Sequence, residues 1–113
     1  ETLDLAKTLN CAFANFYVAM AYPGSPLHKT THESDLPQTW SGYSQHSFDC
    51  QPLPTEALSA AQVLEFRDKA FTEYYSDDNY LNMIEEKFGW EARRHITSMA
   101  KHRLKRGLLD GPR

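Results

Sequence analysis

The stretch that most constrains this chain is Ala12–Tyr22, AFANFYVAMAY. Asn15 is its only strongly polar side chain, and Phe13, Phe16, Tyr17, Val18 and Met20 do not alternate strictly with polar neighbours. Length and aromatic content predict a strand buried on both faces, as inside parallel sheets. A short buried helix is the other reading of the same residues. A strand raises a difficulty: no other segment reads as one, and a lone strand leaves its N–H and C=O groups without partners. A helix, a doubly buried strand and a loop make one slice of an α/β array. The expectation is a piece of a larger sheet whose companion strands lie outside this sequence.

The flanks carry clearer signals. Leu3, Leu5, Ala6 and Leu9 fall near helical spacing, and Asn10 suits a helix C-terminus. Residues 23–57 hold Pro23, Pro26, Pro37, Pro52 and Pro54, with Pro23-Gly24 turning the chain. So long a stretch without period either serves a function or drapes over something. Trp40, Tyr43 and Phe48 within it need cover, and pinning the loop to a core would supply it. From residue 58 the pattern is helical. Ser59-x-x-Gln62 is a capping box, Ser76, Asp77 and Asp78 offer a second N-cap, and Gly89 a stop. A third helix spans about Trp90 to Lys105. The predicted core is Val63, Phe66, Phe71, Leu81, Ile84, Phe88, Ile96, Met99 and Leu104.

Charge is split along the 113 residues. Residues 1–86 hold four basic and thirteen acidic groups, net −9; residues 87–113 hold eight basic and two acidic, net +6. Arg93, Arg94, Lys101, Arg103, Lys105 and Arg106 could contact phosphates. The same charges also suit a helix C-terminus and an ordinary solvated face. No run approaches the ~18 apolar residues of a membrane span, and the acidic, polar opening ETLDLAKTLN lacks the apolar core of a secretory leader. A cytoplasmic setting is expected. Cys11 and Cys50 are too few for a disulfide scaffold or a thiolate metal site. His28, His32, His46, His95 and His102 lack metal-ligand spacing; Pro26 and the Thr-rich context argue against a helix aligning His28 with His32, and His95 and His102 lie about 10 Å apart by helical rise. No nucleophile elbow or phosphate loop occurs.

Three stretches, AMAYPGSPLH, WSGYSQHSFD and QPLPTEALSAAQVLEFRDKAFTEYYSDDNYLNMIEEKFG, give the chain a family likeness. It resembles the C-terminal part of radical S-adenosylmethionine enzymes of the cobalamin-binding type, relatives of the anaerobic magnesium-protoporphyrin ester cyclase, from about Glu1 to Leu109. ANFYVAMAYPGSPL and LSAAQVLEFRDKAF are the specific parts. The resemblance implies a partial (β/α)6 barrel preceded by a cobalamin domain, with a Cys-x3-Cys-x2-Cys loop holding a [4Fe-4S] cluster that cleaves S-adenosylmethionine. It implies that Leu3–Leu9 end a barrel helix and that Ala12–Met20 is a late barrel strand. Ala21, Tyr22, Pro23 and Gly24 would then shape the adenosine end of the S-adenosylmethionine pocket through backbone groups. Trp40, Tyr43 and His46 would cover the barrel mouth and face substrate, with a hydrogen bond within the loop as the alternative for His46. The sequence departs from the family by lacking the three-cysteine motif, so catalysis would belong to the longer protein.

The expected fold is therefore α+β and mostly α. Residues 1–22 would end the barrel with a helix and one late barrel-type strand, residues 23–57 form a long ordered loop, and residues 58–113 a C-terminal three-helix bundle. The expected partner is the remainder of the radical SAM protein, with a homodimer through the orphan strand as a further option. The rival reading is a stand-alone helical interaction module that binds nucleic acid or protein through its basic third helix.

Overall fold

A computed structural model describes residues 1–112, and among these it contains helices and no strand or sheet. The helices are α1 (Thr2–Leu9), α2 (Pro26–Thr30), α3 (Ala60–Ser76), α4 (Asp78–Phe88), α5 (Trp90–Ala100) and α6 (Gly107–Asp110), with 3-10 turns at Glu33–Asp35 and Trp40–Tyr43. No described helix is long and apolar enough to cross a membrane.

Helix ends follow the local chemistry of the sequence. Asn10 adopts the left-handed conformation (φ 48°, ψ 47°), and its N–H donates to the Ala6 carbonyl at 3.0 Å, closing α1. Ser59 and Gln62 form a reciprocal capping box at the start of α3, with bonds of 3.2 and 2.9 Å. The Asp77 carboxylate caps α4 by accepting from the Tyr80 N–H at 3.2 Å. Gly89, at φ 93°, breaks α4 from α5 where an L side chain would be strained. Pro26, at the first position of α2, lacks the N–H that would be unpaired there anyway, so a short helix forms where proline and threonines argued against one.

The chain divides into two compact units, each assembled from two stretches. The first contains Glu1–Phe16 and Asp68–Arg103. Its core is Leu3, Ala70, Tyr74, Tyr75, Tyr80, Leu81, Ile84 and Ala100, against which Phe16, Phe71, Ile96 and Met99 pack. The second contains Tyr17–Arg67 and the stretch from Leu104 onward. Its core is smaller, comprising Val18, Met20, Cys50 and Leu64 with Val63 and Leu109 alongside, and Pro52 and Arg106 are also fully buried.

The structure corrects the expected α+β class. Residues 12–20 are extended, yet they belong to no ladder. Backbone groups of Ala12, Ala14 and Val18 are answered by side chains instead. In the first unit the Tyr75 hydroxyl accepts from the Ala14 N–H at 3.0 Å and donates to the Ala14 carbonyl at 2.7 Å. The Tyr80 hydroxyl donates to the Ala12 carbonyl at 2.9 Å, and the Tyr74 hydroxyl to that of Cys11. In the second unit the Gln45 amide stands in for a neighbouring peptide: its Oε1 accepts from the Val18 N–H and its Nε2 donates to the Val18 carbonyl, both at 3.0 Å. The Leu53 N–H donates to the Ala19 carbonyl at 3.1 Å. The segment is also buried on one face only. Val18 and Met20 are buried and Ala14 and Phe16 half-buried, while Phe13, Asn15, Tyr17 and Ala19 are exposed. A late barrel-type strand is therefore absent, and the bonding that defeated a lone strand on paper is supplied by tyrosines and a glutamine.

Two further expectations fail. Helix α5 ends at Ala100 rather than Lys105, and Leu104 is exposed. Beyond it, the Arg106 guanidinium donates to the carbonyls of Gln45 and Ser47, both at 2.9 Å, and the Gly107 N–H donates to the Phe48 carbonyl at 2.7 Å. These long-range bonds take residues 104–107 off the helical path. Phe66 and Phe88, predicted to be core, are exposed by 52% and 62%. The buried side of α3 runs instead through Leu64, Arg67, Ala70 and Tyr74, and Phe66 lies off that stripe.

Candidate functional site

In the second unit, residues far apart in sequence line an open cleft of about 500 Å³: Tyr17, Val18, Tyr22, Tyr43, Gln45 and His46. The Tyr22 and Tyr43 ring centroids are 6.2 Å apart, and Trp40 lies 6.3 Å from Tyr43. Trp40 is 80% exposed and does not line the cleft, so the three rings form a ledge that runs from it into solvent.

The ledge has a local cause. Thr39 is extended and the chain then tightens into the Trp40–Tyr43 turn, where Gly42 packs on Pro37 so closely that a Cβ would collide with the ring. The turn is tied down by the Gln51 N–H donating to the Gly42 carbonyl at 2.9 Å and by Ser41 Oγ donating to Asp49 at 2.8 Å. Gln45 is fixed by its two bonds to Val18, and its Nε2 also reaches the Tyr22 hydroxyl at 3.3 Å.

His46 faces a guanidinium: its Nε2 is 3.2 Å from an Arg67 nitrogen. Arginine only donates, so Nε2 is the accepting partner in this contact. No carboxylate lines the cleft. The arrangement therefore suits stacking and shape recognition rather than proton transfer by a carboxylate pair.

Of the residues singled out in the sequence, Tyr22, Tyr43 and His46 come together in this cleft and Trp40 stands beside it. Ala21 is buried, at 2% exposure, while Pro23 and Gly24 form an exposed turn with Gly24 at φ 89°. The Tyr22 carbonyl already accepts from the Ser25 N–H at 3.0 Å and Ser25 Oγ at 2.6 Å. Tyr17 and Gln45 were missed. Tyr17 was legible as an aromatic in the apolar run, but nothing in the spacing marks Gln45 as a peptide mimic.

The donor set does not fit an iron–sulfur cluster, which takes three or four thiolates. Cys11 is exposed in the first unit and Cys50 is fully buried in the second. No group of three His, Cys, Asp or Glu capable of holding a metal occurs among the described residues. Three of the six basic residues singled out in the sequence are engaged within their own units. Arg93 bonds Asn82 at 2.7 Å and Glu85 at 2.9 Å, Arg94 lies 5.1 Å over the Trp90 ring, and Arg106 is buried.

No family model, curated protein or solved structure matches this chain.

Proposed function

We propose that this chain is the C-terminal part of a radical SAM protein of the cobalamin-binding type, inactive alone, and that its aromatic ledge helps to cover the substrate side of the S-adenosylmethionine site. The observation that carries this reading is the convergence of Tyr22, Tyr43 and His46 on one open cleft, with Trp40 exposed beside it. These residues lie in the two motifs, AMAYPGSPLH and WSGYSQHSFD, on which the family likeness rests. A large exposed tryptophan next to a pair of tilted tyrosine rings has the character of a surface that acts when covered. Tyr22 and Tyr43 supply apolar walls, and His46 a ring held by Arg67.

The test uses the longer protein, with 5′-deoxyadenosine release and product formation followed separately. Trp40→Ala and His46→Ala are expected to leave release intact while product falls, because an uncovered radical is quenched before it reaches substrate. Normal coupling of the two in both variants would remove this reading. The interaction-module alternative has fewer free cations to work with, since Arg93 and Arg106 are engaged within the chain.

A further inference from the structure

A second concavity, in the first unit, is used by nothing described so far. It measures about 580 Å³ and is lined by Thr72, Tyr75 and Ser76 of α3, Leu81 of α4, Thr97 and Ala100 of α5, and Lys101, His102 and Arg103 just beyond α5. That volume is in the range of small-molecule sites.

Its polarity is unevenly distributed. Tyr75 turns its hydroxyl to the Ala14 backbone, so it offers the groove a ring. Ser76 Oγ donates to the Thr72 carbonyl at 2.6 Å, and Thr97 Oγ donates to the Arg93 carbonyl at 2.9 Å. Both hydroxyl protons are thus spent on their own helices. With Leu81 and Ala100, these residues make a wall that is apolar in effect.

Lys101, just beyond α5, differs. Basic groups at a helix C-terminus are commonly there for the dipole, and in this unit Lys7, Lys69 and Arg93 find carboxylates while Lys87 and Arg94 do not. Lys7 lies 3.8 Å from Glu73 and 3.9 Å from Asp77, Lys69 lies 3.6 Å from Glu73, and Arg93 lies 2.9 Å from Glu85. Lys101 has no carboxylate within 4 Å among the described residues, and no Asp or Glu lines the groove. An unpaired ammonium at the edge of an apolar groove complements a molecule with an anionic head and an apolar body.

We infer that the groove between α3, α4 and the end of α5 binds a small soluble amphiphile, a carboxylate or phosphate carrying a short chain or a ring. The head would lie at Lys101 and the body against Tyr75, Leu81 and Ala100.

The test is an amide NMR titration of the full chain with octanoate, set beside 1-octanol and inorganic phosphate. Octanoate is expected to shift Thr72, Ser76, Thr97 and Lys101 saturably. Octanol should bind at the same residues about fivefold more weakly, and phosphate should not saturate, since one partly exposed ion pair supplies a gain of that order. Lys101→Glu, an exposed position that leaves the fold intact, should weaken octanoate about fivefold or more and leave octanol unchanged. Ala100→Leu, which fills the groove, should weaken both. Equal affinity for octanoate and octanol, no effect of Lys101→Glu, the absence of saturation, or shifts that map to other residues would each overturn the inference. Co-sedimentation with phosphatidylserine vesicles while monomeric octanoate fails to bind would overturn the soluble-ligand assignment.

Discussion

Both units hold irregular backbone without a sheet, and they do so with opposite chemistry. The first fastens Cys11–Ala14 with the hydroxyls of Tyr74, Tyr75 and Tyr80, whose rings pack against each other at centroid distances of 5.0–5.3 Å. The second fastens Gln45–Ser47 with the fully buried guanidinium of Arg106. A phenol is neutral and carries its polar atom on a large apolar body, so most of its contribution survives loss of the oxygen. A guanidinium is permanently charged, and its burial is tolerable only while its donors are occupied. The tyrosine device is therefore tolerant of truncation and sensitive to alkali, whereas the arginine device is intolerant of truncation and indifferent to alkali.

Arg106→Met strikes this contrast hardest. It removes the charge but deletes the donors to the part-buried Gln45 and Ser47 carbonyls, leaving Ser47 only the 3.4 Å bond from the Cys50 N–H, at a cost of about 1–3 kcal/mol for each lost charge-assisted bond. A loss of about 3 kcal/mol or more is expected in urea unfolding, with hydrogen-exchange protection lost first around Gln45–Phe48. A loss below about 1 kcal/mol would mean that water replaces the guanidinium and that the two devices are alike. Tyr75→Phe should cost less, about 2 kcal/mol, because the one hydroxyl both accepts from and donates to Ala14 while the ring remains. Its signature is lost protection of the Ala14 amide.

The same contrast explains what could be read in the sequence. Helix α1 and its end at Asn10, the capping box of α3, the Asp77 cap and the Gly89 break were all legible, since each is decided by residues a few positions apart. The state of residues 12–20 was not. It depends on Tyr75, Tyr80 and Gln45, whose hydrogen bonds span 27 to 68 positions and leave no period in the chain. A nearly uniform apolar run predicts burial on both faces, but Phe13 and Tyr17 are exposed by 73% and 62%, and exposure of single apolar side chains is ordinary. In the sequence Arg106 reads as part of a solvated basic tail, because composition does not distinguish a surface cation from one that anchors a loop. At the cleft, Trp40 and Tyr43 are legible as residues needing cover and Tyr22 only for its backbone, while Tyr17 and the amide that positions Tyr22 are not.

Alkali probes the tyrosine side directly. Burial, reinforced by the neighbouring Tyr75 and Tyr74, pushes the Tyr80 phenol up to about 12, and burial raises Tyr74 as well. An unfolded tyrosine ionises near 10. The folded state thus keeps its proton where the unfolded state releases it. The stabilisation is fully present below about pH 10 and is lost as pH rises from 10 to 12, a decline of about 2 kcal/mol for Tyr80. Tyr80→Phe should flatten that decline while losing about 1 kcal/mol at neutral pH with the Ala12 bond. Equal slopes in the two proteins between pH 10 and 12 would show that Tyr80 is not the group responsible.

The smallest effect separates local from long-range fastening. Ser59→Ala deletes the hydroxyl that accepts from the Gln62 N–H but leaves the Gln62 side chain free to accept from the Ser59 N–H, so half of the capping box remains. A cost of about 1 kcal/mol is expected. Because the bond spans three residues, the loss should appear as fraying of the first turn of α3, with faster exchange at Ala61–Val63 and unchanged protection at Ala14 and Gln45. Faster exchange at Ala14 or Gln45 would instead mean that the distant hydrogen bonds depend on the register of α3, and the tyrosine and arginine devices would then have to be treated as consequences of helix capping rather than as independent anchors.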